Sequence, residues 1–307
     1  MTFVAGRALR GRYGRLMAEI EQRVVTVNDV EFTYLAAGDH GPLAVCLHGF
    51  PDSPHTYRFL LPRLAAEGYR AVAPFMRGYA PTAVPADGRY QTGMLAMDAI
   101  GLHEALGGDG EAVIVGHDWG ATATYGAAAY APERWRKVVT MAVPPGGAMG
   151  AAFLGNLAQI KRSWYMFFFQ HGLSDLVVGA DDLAFIDMLW ADWSPGHDAH
   201  EDVPHVKAAL RDPANLAAAL GYYRATLGDG YVDPALADVQ AAGQQNPTQP
   251  TLYLHGADDG CIGAEVAEWA ADHSPDNVSV RVFEGCGHFL HVDHPQAIND
   301  EILGFLS

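Results

Sequence analysis

The segment 111–129 reads EAVIVGHDWGATATYGAAA and decides the fold of this chain. It begins with a β-branched apolar run, passes through Gly-x-Asp-x-Gly at 116–120, and ends in a small-residue run compatible with a helix. The two glycines indicate a tight turn in which strand and helix approach too closely for a Cβ atom. The segment therefore predicts a strand, a sharp turn with Asp118 at its apex, and a helix.

A strand, turn and helix of this kind form the nucleophile-elbow pattern, which lifts its central side chain into the open. Serine at that position would indicate acyl transfer. A carboxylate is already ionised near neutral pH, so Asp118 can displace a leaving group from an sp³ carbon and form an alkyl-enzyme ester. Epoxides and haloalkanes are electrophiles that suit this chemistry. The alternative interpretation is that Asp118 only caps the following helix.

Composition limits the class of protein. Half of the 307 residues are hydrophobic, which is enough for a large core. The net charge of −17 argues against a nucleic-acid partner, because phosphate binding needs clustered Lys and Arg. No apolar run approaches the length of a bilayer span, so we expect no membrane association. The three cysteines form no even set and favour a reducing, cytoplasmic location.

The N-terminal segment carries four arginines, which no apolar run follows. It therefore does not resemble a secretory signal. We expect a surface arm, whose arginines are Arg7, Arg10, Arg12 and Arg15.

Strand-like runs recur along the chain, and helical patterns separate most of the later ones. This alternation predicts an α/β fold with a mostly parallel, eight-stranded sheet flanked by helices. The predicted strands are Arg23–Val27, Glu31–Ala36, Leu43–Leu47, Tyr69–Ala73, Glu111–Val115, Lys137–Ala142, Thr251–Leu254 and Val278–Phe283.

The alternation stops at the PPGG segment 144–147 and resumes at the PTQP segment 247–250. Between these boundaries we find helical patterns only, which predicts an inserted α-helical cap. The expected organisation is a first core part at 1–145, a cap at 146–246 and a second core part at 247–307. The helical patterns of the cap are Ala151–His171, Asp181–Trp193, His205–Arg211 and Pro213–Leu227.

Three further motifs follow predicted strands and supply groups that a carboxylate nucleophile needs. A backbone N–H of the HGFP segment 48–51 and the N–H of Trp119 would form a two-donor oxyanion hole, although an ordinary turn is the alternative. His288 is a plausible general base for the water that cleaves the ester. The GADDG segment 256–260 offers Asp258 or Asp259 to orient the imidazole.

His288, His291 and His294 recur at intervals of three, so a metal site must be considered. At this spacing the three side chains lie progressively around a helix and do not converge. We therefore predict no metal site, and the chemistry requires no organic cofactor.

The cap is rich in aromatic residues at 163–170 (SWYMFFFQ) and at 221–224 (GYYR). Aromatic residues at this density usually form a core or the wall of an apolar pocket. A tyrosine hydroxyl that faces the pocket could also hydrogen-bond or protonate the alkoxide produced when a strained ether opens.

In this order and spacing, the motifs resemble the soluble epoxide hydrolase family of the α/β-hydrolase superfamily, over nearly the whole chain after about residue 23. The RGY segment 77–79 is also similar to that family's pattern. The resemblance implies conversion of an epoxide and water to a vicinal diol. It also implies that Asp118 is the nucleophile, that His288 is the base, and that Asp259 orients the base, with Asp258 as the alternative. The implied acids of the cap are Tyr165 and Tyr223, and Tyr222 is possible in place of Tyr223. The implied oxyanion donors are the backbone N–H groups of Phe50 and Trp119.

For the substrate we expect a small apolar epoxide, and the cap helices could pair in a homodimer. The residues expected to form the substrate pocket are His48, Pro51, Trp119, Trp164 and Phe168.

Haloalkane dehalogenases are the nearest alternative, because they are similar in fold, nucleophile and base. They usually carry Asn where this chain has Phe50, and Phe offers no side-chain donor to a halide. Fluoroacetate-type dehalogenases carry Arg beside the nucleophile, where this chain has Trp119. A non-catalytic, ligand-binding member of the fold is the third alternative.

Overall fold

The computed structural model describes residues 18–307. Eight strands form one sheet in the order β1-β2-β4-β3-β5-β6-β7-β8. The bounds are β1 Glu21–Val27, β2 Val30–Ala37, β3 Leu43–Leu47, β4 Arg70–Pro74, β5 Val113–His117, β6 Lys137–Met141, β7 Thr251–Gly256 and β8 Val278–Phe283. β2 pairs antiparallel with β1 and β4, and every other pair is parallel. The predicted mostly parallel, eight-stranded sheet is confirmed, whereas the expected N-terminal arm lies outside the described residues.

The central strands are buried on both faces. All five residues of β3 and of β5 are buried, as expected for parallel strands covered by helices. Edge strand β8 contains no fully buried residue. The flanking helices are α1 Leu61–Ala66, α2 Thr92–Ala105, α3 Trp119–Tyr130, α12 Ala264–His273, α13 Leu290–Asp293 and α14 Pro295–Leu306.

Between β6 and β7 the described chain forms helices and no strand. These helices are α4 Ala148–Gly155, α5 Leu157–Arg162, α6 Trp164–Phe168, α7 Leu173–Val178, α8 Ala184–Trp193, α9 Val203–Leu210, α10 Pro213–Leu227 and α11 Ala237–Ala242. α11 packs on α2 and α3. Helix α4, at the other end of the range, packs on α12. The predicted cap range 146–246 therefore includes a helix that lies on the core at each end, where the chain leaves and rejoins the sheet.

The predicted helical pattern 151–171 is divided into several helices. Asn156 has extended backbone angles, and its side chain accepts hydrogen bonds from the N–H groups of Ala158 and Gln159. It is thus the N-cap of α5 and ends α4. Within residues 18–307, no helix is long and apolar enough to cross a membrane.

Candidate active site

Asp118 lies at the apex of the turn between β5 and α3, at φ 52° and ψ −119°. A non-glycine residue in this region is strained, and such strain is found at functional sites. The neighbouring glycines leave room for the turn. A Cβ atom on Gly120 would lie 2.0 Å from the carbonyl oxygen of Leu47, and one on Gly49 would lie 2.3 Å from Asp118 Oδ1. The predicted strand, turn and helix are present in the structure.

The two predicted oxyanion donors are backbone N–H groups close to Asp118 in the structure or in the chain. The N–H of Phe50 donates to Asp118 Oδ1 at 2.8 Å. Trp119 is the first residue of α3, so its N–H has no carbonyl partner within the helix. The structure therefore places the N–H of Phe50 on the Asp118 carboxylate and the N–H of Trp119 in the turn that follows it.

His288 lies between two carboxylates. Its Nδ1–H donates to Asp259 Oδ2 at 2.9 Å, and its Nε2 lies 3.7 Å from Asp118 Oδ2. Asp259 Oδ1 accepts the N–H groups of Cys261 at 2.7 Å and Ile262 at 2.9 Å, which fixes the carboxylate. The three predicted residues are thus connected in the order Asp118, His288, Asp259.

The neighbouring Asp258 is placed differently. Its side chain is exposed, and its backbone N–H donates to the carbonyl oxygen of Cys286. The structure therefore brings Asp259, rather than Asp258, to the imidazole.

The neighbouring charges determine the protonation states of His288 and Asp118. Burial by itself lowers the pKa of His288, but the carboxylates of Asp259 and Asp118 outweigh burial and raise it to about 10. Burial raises the pKa of Asp118, yet the neighbouring His288 imidazolium holds it below the ordinary value of 3.8. Near neutral pH the free protein therefore contains an imidazolium and an ionised Asp118.

Two buried tyrosines share the cavity with Asp118. Tyr165 and Tyr223 both line it, and their ring centroids are 5.7 Å apart. Tyr165 Oη lies 3.2 Å from Cys261 Sγ, and the Tyr223 ring packs on Trp119 with their centroids 4.9 Å apart. Burial raises the pKa of both tyrosines well above 10, so both hydroxyls remain protonated donors. Tyr222 instead donates its hydroxyl to the carbonyl oxygen of Arg77 at 2.7 Å.

The cavity above Asp118 has a volume of about 300 Å³. Besides the catalytic candidates, it is lined mainly by apolar and uncharged polar residues. They are Thr92, Trp119, Thr122, Tyr125, Val143, Pro144, Gly146, Met149, Gly150, Phe153, Ser163, Met166, Thr226, Leu227, Gln240, Gly243, Gln244 and Ile262.

Four of the five predicted pocket residues do not line this cavity, and only Trp119 does. His48 is fully buried, and its Nε2 accepts the N–H of Met76. The carbonyl oxygen of Pro51 accepts a hydrogen bond from Trp190.

The other two residues belong to the cap's own packing. Trp164 is 43 % exposed and packs on Phe168. The same helix, α6, instead directs Tyr165 and Met166 toward the cavity.

Sequence reasoning missed most of the cavity wall. Thr122 and Tyr125 follow the elbow on α3 at helical spacing, and Met149 and Phe153 lie four residues apart on α4. Helical periodicity counted from the elbow was the signal for the first pair. For Met149 and Phe153 the sequence contained no nearby motif from which helical positions could be counted.

The three C-terminal histidines have separate partners. His291 Nε2 bonds to Thr56 Oγ1 and His294 Nε2 bonds to the carbonyl oxygen of Gly285, whereas His288 faces the two aspartates. They do not form one ligand set.

Comparison with known proteins agrees with this geometry. A family model described as alpha/beta hydrolase fold matches residues 42–295. Epoxide hydrolase 1 of Caenorhabditis elegans is 27 % identical over 296 residues, which cover 94 % of this chain and 70 % of that protein.

Two further proteins are similar to this chain. An epoxide hydrolase of Caballeronia sordidicola is 45 % identical over 105 residues, which cover 34 % of this chain and 32 % of that protein. The solved structure of an epoxide hydrolase from an endophytic Streptomyces has a TM-score of 0.77 at 26 % identity, with 94 % of this chain and 95 % of that one covered.

Proposed function

The chain belongs to the alpha/beta hydrolase fold family, and on that premise we propose that it is an epoxide hydrolase, which converts an epoxide and water to a vicinal diol. The observation that carries the proposal is one cavity that joins Asp118 at the elbow apex with two buried, protonated tyrosine hydroxyls. The names of the similar proteins support the same reaction.

The first step is ring opening. Asp118 Oδ2 attacks one carbon of the epoxide, a C–O bond of the ring breaks, and an alkyl ester forms on the carboxylate. The departing oxygen carries the electron pair of the broken bond. Tyr165 and Tyr223 donate hydrogen bonds to this oxygen, and a proton reaches it through one of them.

The second step is hydrolysis of the ester. Alkylation removes the charge of Asp118, so one of the two groups that raise the pKa of His288 is lost. The imidazolium then releases its proton more readily, which balances the proton taken up by the alkoxide.

Neutral His288 can accept a proton from the water that attacks the Asp118 carboxyl carbon. The N–H groups of Phe50 and Trp119 stabilise the tetrahedral oxyanion. When the intermediate collapses, the bond between the carboxyl carbon and the alkyl oxygen breaks, and the departing alkoxide takes the remaining proton of the attacking water. The products are the diol, an ionised Asp118 and a protonated His288, whose imidazole Asp259 orients throughout.

The cavity favours a neutral substrate. Among its described lining residues, Asp118 is the one with a formal charge near neutral pH, and most of the others are apolar. A volume of about 300 Å³ suits a small aryl or alkyl epoxide.

Dehalogenation is a second candidate, because Trp119 lines the cavity and its indole carries an N–H donor, Nε1. A departing halide could accept that N–H. Phe50 supplies no side-chain donor beside it, and the two tyrosine hydroxyls match an alkoxide better than a halide.

The test is product analysis with styrene oxide, a terminal alkyl epoxide, 1-chlorobutane and a p-nitrophenyl ester, for the wild type and Asp118→Ala. We expect diol from the epoxides, no diol from the variant, and no halide. Halide without diol would assign dehalogenation. No turnover of any substrate by the wild type would favour a ligand-binding protein.

We also propose that the protein forms a homodimer and is located in the cytoplasm. A homodimer is supported by exposed apolar residues on the cap helices, among them Leu154, Leu157 and Leu176. A cytoplasmic location is supported by the three cysteines, which are all free and buried.

A further inference from the structure

The C-terminal end of cap helix α8 touches both loops that carry the imidazole and its acid. The carbonyl oxygen of Trp193 accepts the N–H of His288 at 2.8 Å and the N–H of Gly260 at 3.1 Å. Gly260 directly follows Asp259. One carbonyl of the cap thus joins the backbone of the base to the backbone beside its orienting acid.

Glycine is required at both points of contact. A Cβ atom on Gly260 would lie 2.0 Å from the carbonyl oxygen of Asp192. A Cβ atom on Gly287, the residue before His288, would lie 2.4 Å from Cα of Ser194. No side chain larger than hydrogen fits at either distance without movement of the backbone, so the sequence of each loop allows close approach of α8.

Side chains add a second set of hydrogen bonds on both sides of His288. Ser194 Oγ accepts the N–H of Phe289 at 3.0 Å and donates to Asp293 Oδ2 at 3.2 Å. Asp293 Oδ2 also accepts the N–H of Gly287 at 2.7 Å. The backbone N–H groups of residues 287, 288 and 289 are therefore bonded to Asp293, Trp193 and Ser194, respectively.

The ring of Trp193 completes the contact. Its centroid lies 5.1 Å from the His288 ring and 4.8 Å from the ring of Tyr165. It is almost fully buried, at 2 % exposure. The end of α8 therefore packs between the base and a tyrosine of the cap.

We propose that Trp193 and Ser194 are positioning residues, through which the cap holds His288 at its working distance from Asp118. This inference rests on the proposed function for its kinetic consequence. Asp118 itself is held by β5, α3 and the N–H of Phe50, and the hydrogen bonds of Trp193 and Ser194 go to none of these. Helix α8 reaches the loop of Phe50 through a different residue, Trp190, which donates to the carbonyl oxygen of Pro51. Loss of the Ser194 contacts should therefore slow hydrolysis of the ester and leave its formation nearly unchanged.

The test compares Ser194→Ala with Ser174→Ala. Ser174 is also fully buried in the cap, but its hydroxyl bonds only to other cap residues, His171 and Arg224 among them. In rapid-mixing experiments with styrene oxide we expect Ser194→Ala to slow ester breakdown about 10-fold, since a buried N–H loses its partner. Ester formation should change less than twofold, so the ester accumulates. Equal breakdown rates in Ser194→Ala and the wild type would overturn the inference.

Amide hydrogen exchange followed by mass spectrometry provides a second measurement that needs no substrate. We expect faster exchange at residues 287–290 in Ser194→Ala and no change there in Ser174→Ala. Unchanged exchange in Ser194→Ala would also overturn the inference. If the wild type forms no diol, the proposed function fails, while the exchange data still decide whether α8 holds the loop.

Discussion

At the scale of single residues, the proposed chemistry depends on the charges of three buried side chains. His288 is buried between Asp118 and Asp259, and the two carboxylates outweigh the burial that alone would lower the pKa of the imidazole. The resting site is therefore an ion pair. In the proposed mechanism, the first step removes the charge of Asp118, and His288 can then become the neutral base that the second step needs.

The variants Asp118→Asn and His288→Gln should separate the two steps. Asp118→Asn removes the nucleophile, so we expect activity to fall by at least about 1000-fold, with no covalent adduct. His288→Gln keeps the nucleophile but removes the base, so a protein whose mass is increased by one substrate molecule should accumulate. Intact-protein mass spectrometry after mixing with styrene oxide makes the comparison. An active Asp118→Asn protein would contradict the assignment.

The two adjacent tyrosines 222 and 223 provide a matched pair. Tyr223→Phe and Tyr165→Phe should each slow ester formation about 10-fold or more, and the double variant should be slower still, because the alkoxide loses its donors. Tyr222→Phe should leave ester formation unchanged, since its hydroxyl bonds to the backbone of Arg77. Single-turnover kinetics measure ester formation. Equal rates in the double variant and the wild type would show that the acid lies elsewhere.

The ion pair also predicts a pH dependence of stability. The pKa of His288 is raised in the folded protein from 6.5 to about 10, so its contribution is fully present below pH 6.5 and is lost as the pH rises toward 10. Thermal unfolding from pH 6 to 10 should show a falling Tm for the wild type. In His288→Gln the decline should be smaller by a few degrees. Parallel curves for the two proteins would contradict the raised pKa.

At the scale of elements, local patterns predicted the β5–α3 turn and all eight strands. Apolar runs, glycines and the motifs that follow strands are local signals, and parallel strands place their carboxyl ends at one edge of the sheet. The division of 151–171 into three helices was missed, because the capping role of Asn156 competes with a continuous apolar pattern.

The elbow makes a direct prediction about stability. Gly120→Ala would place a Cβ atom 2.0 Å from the carbonyl oxygen of Leu47, so we expect it to lower the free energy of unfolding by about 3 kcal/mol. Gly304→Ala is the control, because nothing lies within 4 Å of its Cβ position on α14, and it should stabilise by up to about 1 kcal/mol. Urea denaturation measures both. Equal stability of Gly120→Ala and the wild type would contradict the close approach of β3 and α3.

At the scale of the whole molecule, the proposed active site combines residues of the core and of the cap. The core supplies Asp118, His288 and Asp259, and the cap supplies Tyr165 and Tyr223. The core residues could be placed from the sequence because each follows a strand. The wall of the cavity could not, because it depends on which face of each short cap helix packs inward, as Trp164 and Phe168 show.

The order of the motifs did not decide which of two adjacent aspartates orients the imidazole, and only the resemblance to the epoxide hydrolase family favoured Asp259. Asp258 and Asp259 follow the same strand, and either could orient an imidazole on chemical grounds. Their different burial is a tertiary property, since it depends on how the loop after β7 packs against Gly287 and His288.

The most direct test of the central claim is a single turnover in H₂¹⁸O, with enzyme in excess over styrene oxide. If water attacks the carboxyl carbon of an ester on Asp118, the oxygen added to the first diol comes from the carboxylate. We therefore predict unlabelled diol and ¹⁸O in the peptide that contains Asp118, both measured by mass spectrometry. Labelled diol with an unlabelled peptide would mean that water opens the epoxide directly and would contradict the account.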